Sequence, residues 1–468
     1  MQNQKSVQNQ GKLDTCRKRS RVKVAVLTFL GCLMITSALH PADRIYPLKI
    51  AATKRYLVDQ NNAPFLVQGD SAWSLIVAVS DDGVEQYLKN RRQKGFNAII
   101  VNLLEHKFCP HPPRNLAGEG PFTTPGDFST PNEKYFAHVD WVIRKAAEND
   151  MAVVLYPFTL GYMGTDEGWV KETLANGPEK CLNFGRYLGK RYKDFDNIMW
   201  ILAGDRHPEG PILEDIDMLA LGIREYDQRH LISAHCEPEH SAVDGFSGGG
   251  WLDFNTTYTY EIVHIKLLQD YNRTPAMPFL LVESSYEGEQ NASEVQIRRQ
   301  AYWAVLCGGF GHFFGNSPLW HFDGPGIFPS NITWQQAMDL PGSTAMQLWA
   351  QLFHSRSWYD LIPDQKHEVV TSGLGEFKGL DYLAAARTSD GSTVIAYMPT
   401  SRAISVDMSK ITGSQVKAWW FNPRNGGAAA AGIFPASGTH EFTPPGEGDW
   451  VLVLDDATRQ LPAPGAVR

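Results

Sequence analysis

Two acidic residues each close a long apolar run. Asp205 ends Asn197-Ile-Met-Trp-Ile-Leu-Ala-Gly-Asp205, and Glu283 ends Pro278-Phe-Leu-Leu-Val-Glu283. A charge at the end of a buried strand costs free energy unless it is paired or used. Two carboxylates facing each other across a cleft suit glycoside hydrolysis, in which one protonates the leaving oxygen and the other attacks the sugar or activates water. On the strand count below, the two sit on the fourth and seventh strands of a barrel. There their carboxyl groups approach to about 5 Å, the spacing of retaining enzymes. Glu283 is the expected nucleophile and Asp205 the expected acid/base. Partial burial and the charge of Glu283 would raise the pKa of that acid. The competing structural reading pairs Asp205 with Arg206 or His207.

Other polar residues also end or occupy apolar runs. Asp70 follows the first, Asn102 lies in the second, His235 ends the fifth, Asn255 and Tyr258 belong to the sixth, and His312 to the eighth. They are expected to ring the mouth as partners for sugar hydroxyls, against a plainer role in internal barrel layers and caps. Trp73, Tyr156, Phe158, Trp251, Tyr286 and Trp320 fall near the same edge, where a flat ring suits the C–H face of a sugar. Trp73, Tyr286 and Trp320 are expected to contact substrate, with core packing as the alternative. Two other patterns compete. Gly245-Phe-Ser247-Gly-Gly249 matches the nucleophile elbow in letters, but a glycine-rich loop leading into a strand is the wrong context. His235, Glu237 and His240 could ligate a metal, although Pro238 breaks helical spacing between them.

The elements that must position these groups alternate from about residue 45 to 355. Apolar runs at 65–69, 98–104, 152–158, 197–203, 230–234, 252–257, 279–282 and 309–314 read as strands, with amphipathic helical stretches between them. Continuously apolar strands separated by helices imply a parallel sheet covered on both faces. Eight such units give a (β/α)8 TIM barrel. Residues 55–59 with Asn61-Asn62 read as a hairpin before the first strand. Beyond Ser357, short alternating runs and turns such as Asp390-Gly391 and Asn425-Gly426 read as an all-β sandwich. The expected organisation is a targeting segment over 1–42, the barrel over 43–356, the sandwich over 357–458 and a frayed tail over 459–468.

Composition narrows the function. The chain has 468 residues and a net charge of −8, which gives nucleic-acid binding no electrostatic support. Arg17, Lys18, Arg19, Arg21 and Lys23 precede a mostly apolar stretch over 24–38, the pattern of an export signal or a short N-terminal anchor. The protein is therefore expected to be exported, periplasmic or extracellular, with no stable membrane insertion after processing. Cys109, Cys181, Cys236 and Cys307 show no paired spacing and read as single thiols. No cofactor or metal is expected, a carbohydrate is the expected partner, and oligomeric state is open. The main alternative is a non-catalytic carbohydrate-binding or adhesion protein on a barrel scaffold. A metal-dependent hydrolase centred on His235 and His240 is the third reading.

Several stretches resemble a known family. Arg55-Tyr-Leu-Val-Asp59 with Pro64-Phe-Leu-Val-Gln-Gly-Asp-Ser-Ala-Trp73 is similar to the opening of the apiosidase-like barrels of glycoside hydrolase family 140. So are Lys94-Gly-Phe-Asn97, Tyr187-Leu-Gly-Lys-Arg-Tyr192 with the run ending at Asp205, and Gly308-Gly-Phe-Gly-His-Phe-Phe-Gly-Asn316 leading to Trp320. The tail resembles the collagen-binding-type β-domain that commonly follows such barrels. The resemblance implies a retaining glycosidase with an Asp acid/base and a Glu nucleophile, matching Asp205 and Glu283, and activity on apiose linkages of complex pectin.

Overall fold

The computed structural model describes residues 45–466. The targeting segment expected over 1–42 lies outside the described residues. Eight parallel strands, each followed by a helix, carry the first part of the chain. They are β1 (Val67–Ser71), β2 (Ala98–Asn102), β3 (Ala152–Tyr156), β4 (Ile198–Ala203), β5 (Ile232–His235), β6 (Asn255–Tyr258), β7 (Phe279–Glu283) and β8 (Gly311–Phe314). The helices are α1 (Asp81–Gln93), α2 (Glu133–Glu148), α3 (Val170–Tyr192), α4 (Pro211–Tyr226), α5 (Ala242–Phe246), α6 (Val263–Tyr271), α7 (Glu294–Leu306) and α8 (Pro341–His354). This is the expected barrel, strand for strand. Each strand is buried throughout, because side chains pack into the barrel on one face and under helices on the other.

The strands pair in parallel from β5 through β1 to β6, with β8 beside β1 in the register Gly311↔Val67 and Phe314↔Asp70. The ring is nearly closed. Between β5 and β6 the regular ladder is replaced by Asp253 N–H donating to the Ile232 carbonyl (2.9 Å) and Ser233 Oγ donating to the Phe254 carbonyl (2.6 Å). The predicted hairpin is present as three short antiparallel strands at Lys49–Ile50, Leu57–Val58 and Pro64–Phe65.

Helices α3 and α4 approach closely over glycines: a Cβ on Gly185 would lie 2.2 Å from the Leu219 carbonyl oxygen. Asp215 of α4 is buried there, and neither of its carboxylate oxygens has a hydrogen-bond partner. Burial, with help from Glu214, raises its pKa to about 6. The unfolded carboxyl loses its proton near pH 4, so stability falls as pH rises from there through 6. Asp215→Asn is expected to raise the melting temperature at pH 8 and to raise it less at pH 5. Calorimetry at the two pH values checks this, and a lower melting temperature at both would refute it.

The second part is all-β. Strands β9 (Leu361–Pro363), β10 (Val370–Ser372), β11 (Ala384–Thr388), β12 (Thr393–Met398), β13 (Ile404–Asp407), β14 (Gln415–Phe421), β15 (Ala428–Pro435), β16 (Thr439–Phe442) and β17 (Trp450–Asp456) follow. They form a six-stranded sheet, β9-β11-β12-β17-β14-β15, and a three-stranded sheet, β10-β13-β16. Val394, Ala396, Val406, Trp420 and Leu452 pack within the core of this domain. Ile395, Tyr397, Val451 and Val453 belong instead to one core with the barrel residues Tyr302, Trp349 and Phe353. Tyr302 of α7 stacks on Tyr397 of β12, with ring centroids 4.4 Å apart.

Two buried ion pairs cross the same seam: Arg298 with Asp449, and Arg356 with Asp455, both at 2.7 Å. The expected frayed tail is in fact held against the seam. Arg356 donates to the Pro462 carbonyl, and the Gly465 N–H donates to Ser355 Oγ. All four described cysteines are free and buried. Among the described residues, no helix is long and apolar enough to cross a membrane.

Candidate active site

The C-terminal ends of the barrel strands open into a cavity of about 530 Å³. Asp205 and Glu283 both line it, with Trp73, Asn102, Tyr258, Tyr286 and Trp320. One oxygen of each carboxylate and one ring nitrogen of His235 lie within 4.8 Å of one another. Asp205 is reached through a distorted turn: Ala203, Gly204 and Asp205 have φ of 66°, 119° and 58°. A non-glycine residue in this region is strained, and such strain collects where function over-determines the backbone. Gly204 is required, since a Cβ there would lie 2.7 Å from Thr159 Cγ2. The turn aims a half-buried carboxylate into the mouth as β4 ends.

Glu283 is the last residue of β7 and is 8 % exposed. The Tyr260 hydroxyl donates to its Oε1 (3.3 Å), and the Tyr258 hydroxyl donates to Tyr260 (2.9 Å). Below it, His235 Nε2 lies 3.6 Å from Glu283 Oε2, and Nδ1 lies 3.3 Å from the Tyr156 hydroxyl. Burial pushes the His235 pKa down to about 3, so this neighbour is a neutral imidazole and not a counter-ion. Glu283 is held well above the ordinary carboxylate range by burial and then by the charge of Asp205, against the hydroxyls of Tyr286 and Tyr260. Asp205 is also raised, by burial and by Glu167, with Tyr258 opposing. Two carboxyls this close do not both ionise freely, and they titrate as a pair. One proton and one negative charge shared between them suit the acid and the base or nucleophile of glycoside hydrolysis.

The other expected site residues divide by the face of the strand they occupy. Asn102, Tyr258, Trp73, Tyr286 and Trp320 reach the cavity. Asn102 donates through Nδ2 to Glu105 Oε2, and its Oδ1 is buried without a partner. Glu105 in turn accepts the backbone N–H groups of His106, Lys107 and Phe108 and ties the loop after β2 to the barrel. Trp73 Nε1 donates to the Tyr286 hydroxyl (2.8 Å), which fixes both rings in the wall. His235 is completely buried beneath the pair and supports it from below.

Asp70, Asn255 and His312 do not converge on the mouth. Asp70 accepts from Arg91 Nε (2.7 Å) and the Tyr87 hydroxyl (2.6 Å), both on α1. Asn255 Oδ1 accepts from the Val243 N–H of α5. His312 lies 3.0 Å from Met346 Sδ and edge-on to Trp349, both on α8. All three face the helices, so their role is to fasten strand to helix. Tyr156 supports His235, whereas Phe158 packs against Phe128. The sequence reading missed Tyr260, Glu167 and Glu289, which also line the cavity. Glu289 accepts from Trp320 Nε1 (2.7 Å). The only signal for Tyr260 was its place two residues beyond Tyr258. Ser247 lies exposed in a short turn after α5, so the elbow pattern has no structural counterpart. His235 and His240 fall in separate clusters of potential ligands.

A nearly closed β/α barrel with facing carboxylates after β4 and on β7 defines a glycoside hydrolase. The chain belongs to the apiosidase-like catalytic domain family, whose model matches residues 51–360. A second model, described as a "putative collagen-binding domain of a collagenase", matches residues 362–455. The chain is similar to a solved structure titled glycoside hydrolase, at 25% identity and a TM-score of 0.77, covering 88% of this chain and 97% of that one. It is also similar to a structure titled glycoside hydrolase family 5 from Bacteroides vulgatus ATCC 8482, at 25% identity and a TM-score of 0.78, covering 88% and 94%. No curated protein matches the chain.

Proposed function

We propose that this protein is an exported retaining glycoside hydrolase, with apiose-bearing pectic oligosaccharides as its substrate class. The spacing of Asp205 and Glu283 carries the reading. An oxygen of each carboxylate within 4.8 Å of one of the other suits the roughly 5 Å separation of retaining carboxyl pairs better than the about 6.5–9.5 Å of inverting pairs. Glu283 attacks the anomeric carbon as the bond to the leaving oxygen breaks, and Asp205 gives that oxygen its proton. The product of this step is a glycosyl ester on Glu283. Asp205 then takes a proton from water, the water oxygen attacks the same carbon, and the ester bond breaks to free Glu283. Tyr260 holds Glu283 in place, and Trp73, Tyr286 and Trp320 offer the sugar its apolar walls. The open cavity favours this reading over a non-catalytic scaffold. The apiose assignment rests on the family, and export rests on the basic-then-apolar N-terminus.

The test is the anomer first released from a pectic apiosyl oligosaccharide, followed by proton NMR before mutarotation. The same anomeric configuration as the substrate is expected. Release of the opposite anomer would overturn the double displacement, and no turnover with any apiosyl substrate would overturn the substrate class.

A further inference from the structure

A second cluster of chemically capable side chains lies beside the catalytic pair. His207 follows Asp205 by two residues on the loop after β4, Glu237 lies on the loop after β5, and His240 begins a short strand, His240–Ser241, paired antiparallel with β6. One potential ligand atom from each lies within 4.8 Å of the other two. The two imidazole rings are 5.3 Å apart between centroids, and His240 Nδ1 is 3.4 Å from Glu237 Oε1. His207 Nδ1 is buried with no hydrogen-bond partner, a cost that a bound ligand would remove. His240 Nδ1 lies 3.1 Å from the Pro238 carbonyl. Donating there holds the proton on Nδ1 and leaves the Nε2 lone pair free, the arrangement that orients metal-binding histidines.

The surrounding chain is firm. Glu239 accepts from Thr259 Oγ1 (2.6 Å) and from the Tyr260 N–H (2.8 Å). Gly245 of α5 packs so closely on Pro208 that a Cβ would lie 2.7 Å from Pro208 Cδ. A tetrahedral ion with bonds of about 2.0–2.2 Å holds its ligands roughly 3.3–3.6 Å apart. The cluster's ligand atoms, within 4.8 Å of one another, must therefore draw together by side-chain rotation to hold an ion.

We propose that His207, Glu237 and His240 form a binding site for a zinc-type divalent cation. Two imidazoles and one carboxylate suit zinc better than magnesium or calcium, which favour all-oxygen sites. Three protein ligands leave a fourth position for water, and Pro238, which follows Glu237, is itself part of the cavity wall. The ion ties the loop carrying Asp205 to the segment whose Glu239 holds Tyr260. It works as a clamp on the geometry of the site and takes no part in bond breaking.

Zinc chloride titrated into the metal-stripped full-length protein, followed by calorimetry, tests this. One equivalent is expected to bind, with affinity reduced at least about tenfold in His207→Ala and in His240→Ala. Glu237→Gln gives a third, near-isosteric variant if either histidine variant misfolds. Cobalt chloride is expected to give the visible absorption of a four-coordinate site, absent in His207→Ala. Glu283→Gln is expected to keep the zinc. Failure of the wild type to bind, or wild-type affinity in both histidine variants, overturns the site. So does loss of binding in Glu283→Gln alone, which would place the ion on Asp205, His235 and Glu283. The readout is ion binding, so its failure leaves the glycosidase reading standing.

Discussion

Glu283→Gln is expected to lower turnover by roughly 10³-fold or more, the scale of losing a group that forms a bond in the reaction, and to leave the fold intact. The side chain is nearly isosteric, and the site is pre-built around an uncharged neighbour, His235. Removing a carboxylate that burial and Asp205 hold far above its ordinary pKa removes a desolvation cost, so the melting temperature is expected to stay level or rise. That combination separates a catalytic role from a structural one, since a structural carboxylate would lose stability and activity together. The smaller variant Glu283→Ala opens space beneath the sugar. Azide should then restore turnover on a substrate with a good leaving group and give a glycosyl azide of inverted configuration. Asp205→Asn should behave differently, losing most on poor leaving groups, because its proton matters only where the leaving oxygen needs one. Activity of Glu283→Gln within a few-fold of wild type would end the nucleophile assignment.

Arg298→Ala is expected to destabilise the protein by about 3–5 kcal/mol, the usual cost of stranding one partner of a buried ion pair. Arg298 reaches from α7 to Asp449 through both Nε (2.7 Å) and Nη2 (3.0 Å), and the Tyr397 hydroxyl adds a third bond to that carboxylate (3.0 Å). Asp449 is 1 % exposed, so water cannot replace the guanidinium. Replacing both partners by apolar residues of similar volume should recover much of the loss, which distinguishes a stranded charge from damaged packing. Denaturant melts of the wild type and the two variants measure this. A loss below about 1 kcal/mol in Arg298→Ala would show that the seam is wet. The same seam makes the β-domain part of the barrel's core and not a tethered accessory. Tyr302 stacked on Tyr397 would be exposed in a barrel expressed alone.

Much of the fold was legible because it rests on local patterns. Each barrel strand is a short apolar run bounded by turns and followed by a helical stretch, and the eight runs lie where strands form. Asp205 and Glu283 were legible for a related reason: an acidic residue directly after such a run is costly, and the count of runs placed both on one rim. The sandwich was legible from its alternation, since Ile404–Asp407 buries every second residue. The held tail was not, because nothing in Leu461-Pro-Ala-Pro-Gly465 signals that Arg356 and Ser355 lie waiting for its backbone.

The sequence by itself determined the barrel, the β-domain and the two carboxylates that face each other. Tertiary structure alone decided which polar strand residues serve the mouth. A strand buried on both faces has no hydrophobic alternation to mark its inner side, and a shift of one residue reverses every side chain. Asp70, Asn255 and His312 therefore read like Asn102 and Tyr258 in the chain, yet they point to Arg91, Val243 and Met346. Tyr260, His207 and Glu237 come from loops, and His240 from a two-residue strand, whose directions are set by long-range contacts such as Glu239 to Thr259. Local spacing does not encode those contacts, and they decide what surrounds the pair.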